Sequence, residues 1–261
     1  MSVSVEVHVT SLVDPRARVA PGVSIGPFCW IGPDVTLEEG VVLESHVRVE
    51  GRTTLRRGVR VHAGAVLGGP PQDLKFRPGT VSYLEIGEST TIRECVTANV
   101  GTDPESTTRI GARCLLMAYS HVGHNTVVGD EVVIANSAQL AGHVEVQDYA
   151  IIGGLVPIHQ FCRIGRYSFV GGGCRIGKDV PPFLRAAGEP LRPSSLNSIG
   201  LTRRGFPEEV VSALKRAFRI LYRQDLLTEE ALHRIRADVP DLPEVREFVT
   251  FVESSARGII R

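Results

Sequence analysis

The chain has 261 residues, 43% of them hydrophobic, with 29 basic side chains balanced by 29 acidic ones. Zero net charge argues against an extended nucleic-acid footprint, and no 18-residue apolar run is present to cross a membrane. The sequence starts with neither a basic leader nor a long apolar stretch, so the expected location is the cytoplasm, without membrane insertion.

From residue 7 an aliphatic side chain recurs every six positions, through Val7, Val13, Val19 and Ile25 to Val61 and Leu67. The beat resumes at Ile86 and Ile92, then runs from Ile110 and Leu116 to Val170 and Ile176. A helix repeats at 3.6 residues and a half-buried strand at two, so neither produces this pattern. A coil of three short strands per turn does, because one aliphatic side chain per strand then points to a common axis. The position four residues later is small or β-branched throughout the second run, as in Cys114, Ser120, Thr126, Val132 and Ala138, which suits a tight inward site. Four of the five cysteines (Cys29, Cys114, Cys162 and Cys174) fall there, and they read as reduced packing residues. Gly26, Gly32, Gly40, Gly58, Gly111, Gly129 and Gly165 fall near the corners, where turns with unusual backbone angles are expected. The predicted fold is mainly β: a left-handed parallel β-helix, or hexapeptide-repeat solenoid, over residues 1–182.

Two segments interrupt the beat. Residues 68–85 shift the register by one and must leave the coil as a loop. Residues 99–109, with Pro104 at an expected aliphatic position, form a second excursion. After Val180 the Pro181-Pro182 pair is expected to stop strand pairing. From 207 the period becomes helical: Pro207, Glu208 and Glu209 make a first turn, and Val210, Val211, Leu214, Ala217, Phe218 and Leu221 form one apolar face. Thr228 is expected to cap a second helix and Pro243 to open a third. Residues 183–261 thus form a small C-terminal helical domain covering the end or flank of the solenoid. A narrow three-sided prism also predicts lateral association, as a cyclic homotrimer.

With 18 residues per coil, residues 18 apart stack about 4.8 Å apart. His124, Gly142 and Gln160 make one such column; His143 and His159 flank it, and His121 precedes it by three residues. Four of the eight histidines therefore converge on one edge. His46 and His62 repeat the spacing of His143 and His159, so stacked histidines also arise here without chemistry, and His124 carries more weight. Gly142 offers a backbone N–H beside the His124 ring, an arrangement like a general base next to an oxyanion donor. In the first excursion Gln72-Asp73-Leu74-Lys75 brings Asp73 and Lys75, either solvated or facing a ligand. Arg203-Arg204 with Lys215, Arg216, Arg219 and Arg223 reads either as a solvated helix face or as a site for phosphate or an acidic partner.

Several segments carry a resemblance: Gln72-Asp73-Leu74-Lys75, Ser120-His121-Val122-Gly123-His124, Leu140-Ala141-Gly142-His143-Val144, Val156-Pro157-Ile158-His159-Gln160, Asp179-Val180-Pro181-Pro182 and Gly200-Leu201-Thr202-Arg203-Arg204. In this order, over nearly the whole length, the chain resembles the cytoplasmic acyl-ACP–UDP-N-acetylglucosamine O-acyltransferases, which open lipid A synthesis. The resemblance implies transfer of an (R)-3-hydroxyacyl group from acyl carrier protein (ACP) to the 3-hydroxyl of a UDP-linked glucosamine, with no metal or other cofactor. It implies His124 as general base and the Gly142 N–H as oxyanion donor. Asp73, Lys75, His121, His143, His159 and Gln160 would hold sugar, phosphate or acyl hydroxyl. Asn197, Arg203 and Arg204 would hold the nucleotide diphosphate, and the basic helical region would receive ACP. Homotrimers with sites between subunits are implied as well. Three places differ from the family pattern: Asn125 stands where an Asp usually follows the catalytic histidine, Asn99 replaces a common histidine, and Gly171-Gly172-Gly173 is atypical. Two rival readings use the same solenoid: a hexapeptide acyltransferase drawing on acetyl-CoA, and a zinc-dependent carbonic anhydrase with three of the histidines as ligands.

Overall fold

In the computed structural model, which describes residues 4–261, each hexad becomes a two-residue strand and a corner. In Val127–Val128, Val133–Ile134 and Gln139–Leu140 the first side chain is exposed or half-buried and the second is buried. Strands from successive coils stack in parallel on three faces of 11, 8 and 8 strands. The first face holds Val133–Ile134, the second Gln139–Leu140 and the third Val127–Val128. Partners lie 18 residues apart on every face: Val122, Leu140 and Ile158; Val128, Val146 and Ile164; Ile134, Ile152 and Val170. The first N–H of each strand donates to the next coil, as from Val127 to the Val144 carbonyl at 2.9 Å. The backbone is therefore satisfied without any one face needing more than two residues per coil.

The inward column is the core, with Leu37, Leu55, Ile86, Ile110, Val128 and Val146 at most 2% exposed. All five cysteines are free thiols, and the four at the small inward position are buried. Burial pushes the thiols of Cys114 and Cys162 up to about 11.

The corners differ from the glycine expectation. Gly40 and Gly58 do have positive φ, but elsewhere that conformation is largely carried by other residues, among them Asn125 (φ 59°), Glu131, His143 (φ 59°) and Phe161 (φ 63°). Gly111 is needed for proximity instead: a Cβ there would lie 2.3 Å from the Gly129 carbonyl oxygen of the next coil. Close stacking of coils, more than turn conformation, fixes this class of glycine.

Both excursions are tighter than the pattern suggested. The strand Val66–Gly69 and the strand Tyr83–Ile86 bracket the first, leaving residues 70–82 outside the coil. Residues 100–106 form the second, between Thr97–Asn99 and Thr107–Ile110. Ala98 takes the inward slot between Leu67 and Val122, so the beat continues through a small residue and Pro104 lies outside it. Both excursions leave the corner between the second and third faces.

The first face does not stop at Pro182. Leu184–Ala187 adds in parallel to Phe169–Val170, and Arg192–Leu196 closes the edge antiparallel. Four helices follow: α1 (Ser198–Arg203), which the helical period did not announce, α2 (Glu208–Arg223), α3 (Thr228–Asp238) and α4 (Pro243–Glu253). The expected face of α2 is buried, together with Ala213 and Ile220. Thr228 is the first residue of α3 rather than its cap; Glu230 reaches back instead to accept the Leu227 N–H at 3.0 Å. These helices form a second core around Phe183, Leu214, Phe218 and Phe248. The helical unit is tied to the solenoid by Arg166–Glu247 at 2.9 Å and by buried Asp179, which accepts the Arg163 N–H and the Ser255 hydroxyl.

Candidate active site

The strand His121–Val122 on the second face turns at residues 123–126 onto Val127–Val128 of the third. The next two coils turn at the same corner, at residues 141–144 and 159–162, so the register stacks His124 with Gly142 and Gln160, and Asn125 with His143 and Phe161. His124 is only 8% exposed. Its ring lies over the Cα of Gly142: a Cβ on that glycine would sit 2.4 Å from His124 Cε1 and 2.5 Å from Nε2. Among the described residues the Gly142 N–H meets no acceptor, and His124 Nε2 has no hydrogen-bond partner. A reacting group placed there would face a ring nitrogen and a backbone donor together.

The other ring nitrogen is held. His124 Nδ1 lies 3.0 Å from Asn125 Oδ1, which also accepts the backbone N–H of Thr102 at 2.8 Å. His143 meets His124 edge to face, with ring centroids 5.1 Å apart, and stacks on Phe161 at 4.7 Å. Burial and the neighbouring His124 hold His143 below the usual imidazole range, opposed by Asp103 and Asp73. His121 is held below that range by burial and by His124 as well, and its Nδ1 lies 2.7 Å from Thr97 Oγ1. His159 and Gln160 are exposed at the next coil, with His159 Nδ1 3.1 Å from the Gln160 carbonyl.

In the first excursion Asp73 Oδ1 accepts the Lys75 backbone N–H at 2.9 Å, a turn that leaves the Lys75 side chain exposed. The root of that excursion is pinned by Asn99, whose Nδ2 donates to the Pro70 carbonyl at 3.0 Å. The sequence pattern marks Asn99 and Asn125 only as unusual residues; their contacts reach across 29 and 23 positions and are invisible in a linear reading.

Asn197, Arg203 and Arg204 lie elsewhere. Asn197 caps α1 through the Gly200 N–H and donates to the Tyr167 carbonyl at 2.9 Å. Arg204 pairs with Glu131 at 2.6 Å and covers the Tyr149 ring, while Arg203 is exposed. Glu131, Tyr149 and Tyr167 belong to the corner between the third and first faces. One chain therefore brings His121, His124, Gly142 and His143 together at the corner from which the first excursion leaves, but keeps Asn197, Arg203 and Arg204 on a different edge of the prism. No three His, Cys, Asp or Glu side chains among the described residues are grouped as a metal site requires. Nor is any helix among them long and apolar enough to cross a membrane.

A hexapeptide solenoid with a histidine over a corner glycine and a helical C-terminal unit defines a hexapeptide-repeat acyltransferase. Residues 107–142 match the bacterial transferase hexapeptide family, and residues 179–260 match the family described as UDP N-acetylglucosamine O-acyltransferase, domain 2. The acyl-ACP–UDP-N-acetylglucosamine O-acyltransferase of Herminiimonas arsenicoxydans is 41% identical over 98% of this chain and 99% of its own length. That of Synechocystis sp. is 48% identical over 80% of this chain and 75% of its own. The solved UDP-N-acetylglucosamine acyltransferase of Bacteroides fragilis superposes with a TM-score of 0.95 at 38% identity, covering 98% of this chain and 100% of that one. The Arabidopsis enzyme gives 0.89 at 32% identity, with 98% and 100% covered. The chain belongs to the family of acyl-ACP–UDP-N-acetylglucosamine O-acyltransferases, and it is an acyltransferase.

Proposed function

We propose that this protein transfers an (R)-3-hydroxyacyl group from ACP to the 3-position of UDP-N-acetylglucosamine, or of its 3-amino analogue, as the first step of lipid A synthesis in the cytoplasm. The observation that carries the mechanism is the free Nε2 edge of His124 lying over Gly142. His124 takes the proton from the acceptor hydroxyl or amine as its heteroatom attacks the thioester carbonyl. The Gly142 N–H donates to the oxyanion that forms. Collapse of that intermediate breaks the carbon–sulfur bond, and the departing carrier thiolate takes the proton back from His124. No covalent acyl-enzyme, metal or other cofactor enters the scheme.

Asp73 and Lys75, on the excursion that leaves this corner, serve with His121, His143, His159 and Gln160 to hold sugar, phosphate and acyl hydroxyl. Asn197, Arg203 and Arg204 serve the nucleotide diphosphate. Because they stand on a different edge of the prism from His124, both sets can line one site only if it forms between two chains. This division supports a homotrimer, whose threefold axis would bring one edge of each subunit against another edge of its neighbour. Exposed Lys215 and Arg219 on α2 give ACP, an acidic partner, a surface to approach.

The test is acyl transfer from a panel of (R)-3-hydroxyacyl-ACP donors to UDP-N-acetylglucosamine and its 3-amino analogue, with wild type beside His124→Ala. Transfer by wild type with a loss of roughly 10² or more in the variant is the expected result. Equal turnover by the two proteins removes His124 as base.

A further inference from the structure

The geometry points to Glu131, with the Tyr149 ring beside it, as a positioning residue that holds the Arg204 guanidinium ready for the nucleotide diphosphate. This rests on the reading of Arg204 as a ligand of that group, and it is measurable without turnover.

At the corner between the third and first faces, Arg113, Glu131, Tyr149, Tyr167 and Phe183 are the left-handed residues of successive coils and form one column. Tyr149 stacks on Tyr167 with ring centroids 4.5 Å apart, and Tyr167 on Phe183 at 6.0 Å. Helix α1 and the turn after it lie along this column and are gripped at both ends. At the start, the Asn197 backbone N–H donates to the Phe183 carbonyl at 2.7 Å, and its Nδ2 to the Tyr167 carbonyl at 2.9 Å. At the end, Phe206 meets the Tyr167 ring edge to face at 4.9 Å, while Arg204 reaches over Tyr149 to Glu131.

An arginine side chain has several soft torsions, and a ligand that must order a free one binds more weakly. Arg204 is ordered in advance. Its Nη1 donates to Glu131 Oε2 at 2.6 Å, and its guanidinium carbon stands 4.6 Å from the centre of the Tyr149 ring. Among the described residues that is the one hydrogen bond the guanidinium makes, so the other donors of the fork stay open to phosphate oxygens. The second oxygen of Glu131 accepts from Arg113 Nε at 3.3 Å, which fixes the carboxylate in turn. The hydrogen bond from Arg204 also holds the Glu131 carboxyl below the usual carboxylate range, so the pair is ionised at neutral pH. With both side chains partly exposed, such a pair adds little to stability, and its removal is expected to leave the fold intact.

The test is a double-mutant cycle on the full-length protein, read by calorimetric titration with UDP and by steady-state kinetics. Glu131→Ala is expected to weaken UDP binding roughly two- to tenfold, the cost of ordering one long side chain. KM for UDP-N-acetylglucosamine should rise with it, without a matching fall in kcat. Glu131→Gln, which keeps an acceptor for Arg204, should stay within about twofold of wild type. In an Arg204→Ala background, Glu131→Ala should add nothing, because the residue acts only through that arginine. Unchanged UDP affinity in Glu131→Ala overturns the proposal, and so does an equal loss with and without Arg204. Should Glu131→Ala not fold, Tyr149→Leu enters the same cycle and decides it on the same terms. Weakened binding in Arg204→Ala but not in Glu131→Ala leaves the nucleotide role of Arg204 standing and removes only the positioning. Unchanged binding in Arg204→Ala removes both.

Discussion

Gly142 and His124 constrain each other. The glycine is not in a left-handed conformation, so alanine can adopt its backbone; the obstacle is the ring, 2.4 Å from the new methyl. Gly142→Ala is therefore expected to stay folded, with stability within about 1 kcal/mol of wild type. Its His124 ring must rotate off Asn125, so turnover is expected to fall by roughly 10² or more. Thermal unfolding and transfer assays on the same preparation check this; retained activity would mean that the ring need not lie where the structure puts it. The pair was legible in the sequence because both residues fall in one 18-residue column. The bond from Thr102 to Asn125 was not, because it depends on how a seven-residue excursion folds back, which no period specifies.

At the scale of the element, the coil decides what each hexad position does. Its small inward site takes Cys29, Cys114, Cys162 and Cys174, which touch core atoms and not solvent. With burial raising Cys114 and Cys162 to about 11, both remain thiols rather than thiolates up to pH 8, and access is blocked too. At pH 8 a thiol reagent is expected to label half-buried Cys95 first, with the other four reacting only in denaturant; mass spectrometry of the labelled peptides reads this directly. Rapid labelling of Cys114 in the folded protein would contradict the stacked coil. The sequence period marked four of these positions, and Cys95 stood outside it. Corner glycines were misread for a related reason: close approach of the next coil is a tertiary property, whereas turn conformation is the local cause a sequence suggests first. Helix α2 followed from its apolar face. The six-residue α1 did not, being too short for a period to show and held instead by Asn197.

For the whole molecule, the consequence lies in the separation of His124 from Arg203. If the site forms between subunits, coexpressed His124→Ala and Arg203→Ala chains should rebuild intact sites that neither variant has alone, about a quarter of those in a random mixed assembly. Sedimentation should give three times the 28.3 kDa chain mass. A monomer, or no recovery in mixed assemblies, would place the whole site within one chain and leave Asn197, Arg203 and Arg204 without the role proposed for them. The sequence by itself determined the solenoid, the 18-residue stacking and the approach of His124 to Gly142, because a repeating coil converts distance along the chain directly into neighbours in space. The tertiary structure decided what lies outside the repeat: where the excursions fold back, which atom of Asn125 faces His124, and which edge holds Arg203 and Arg204. Those depend on contacts between segments of no common period, so they exist only once the chain has folded.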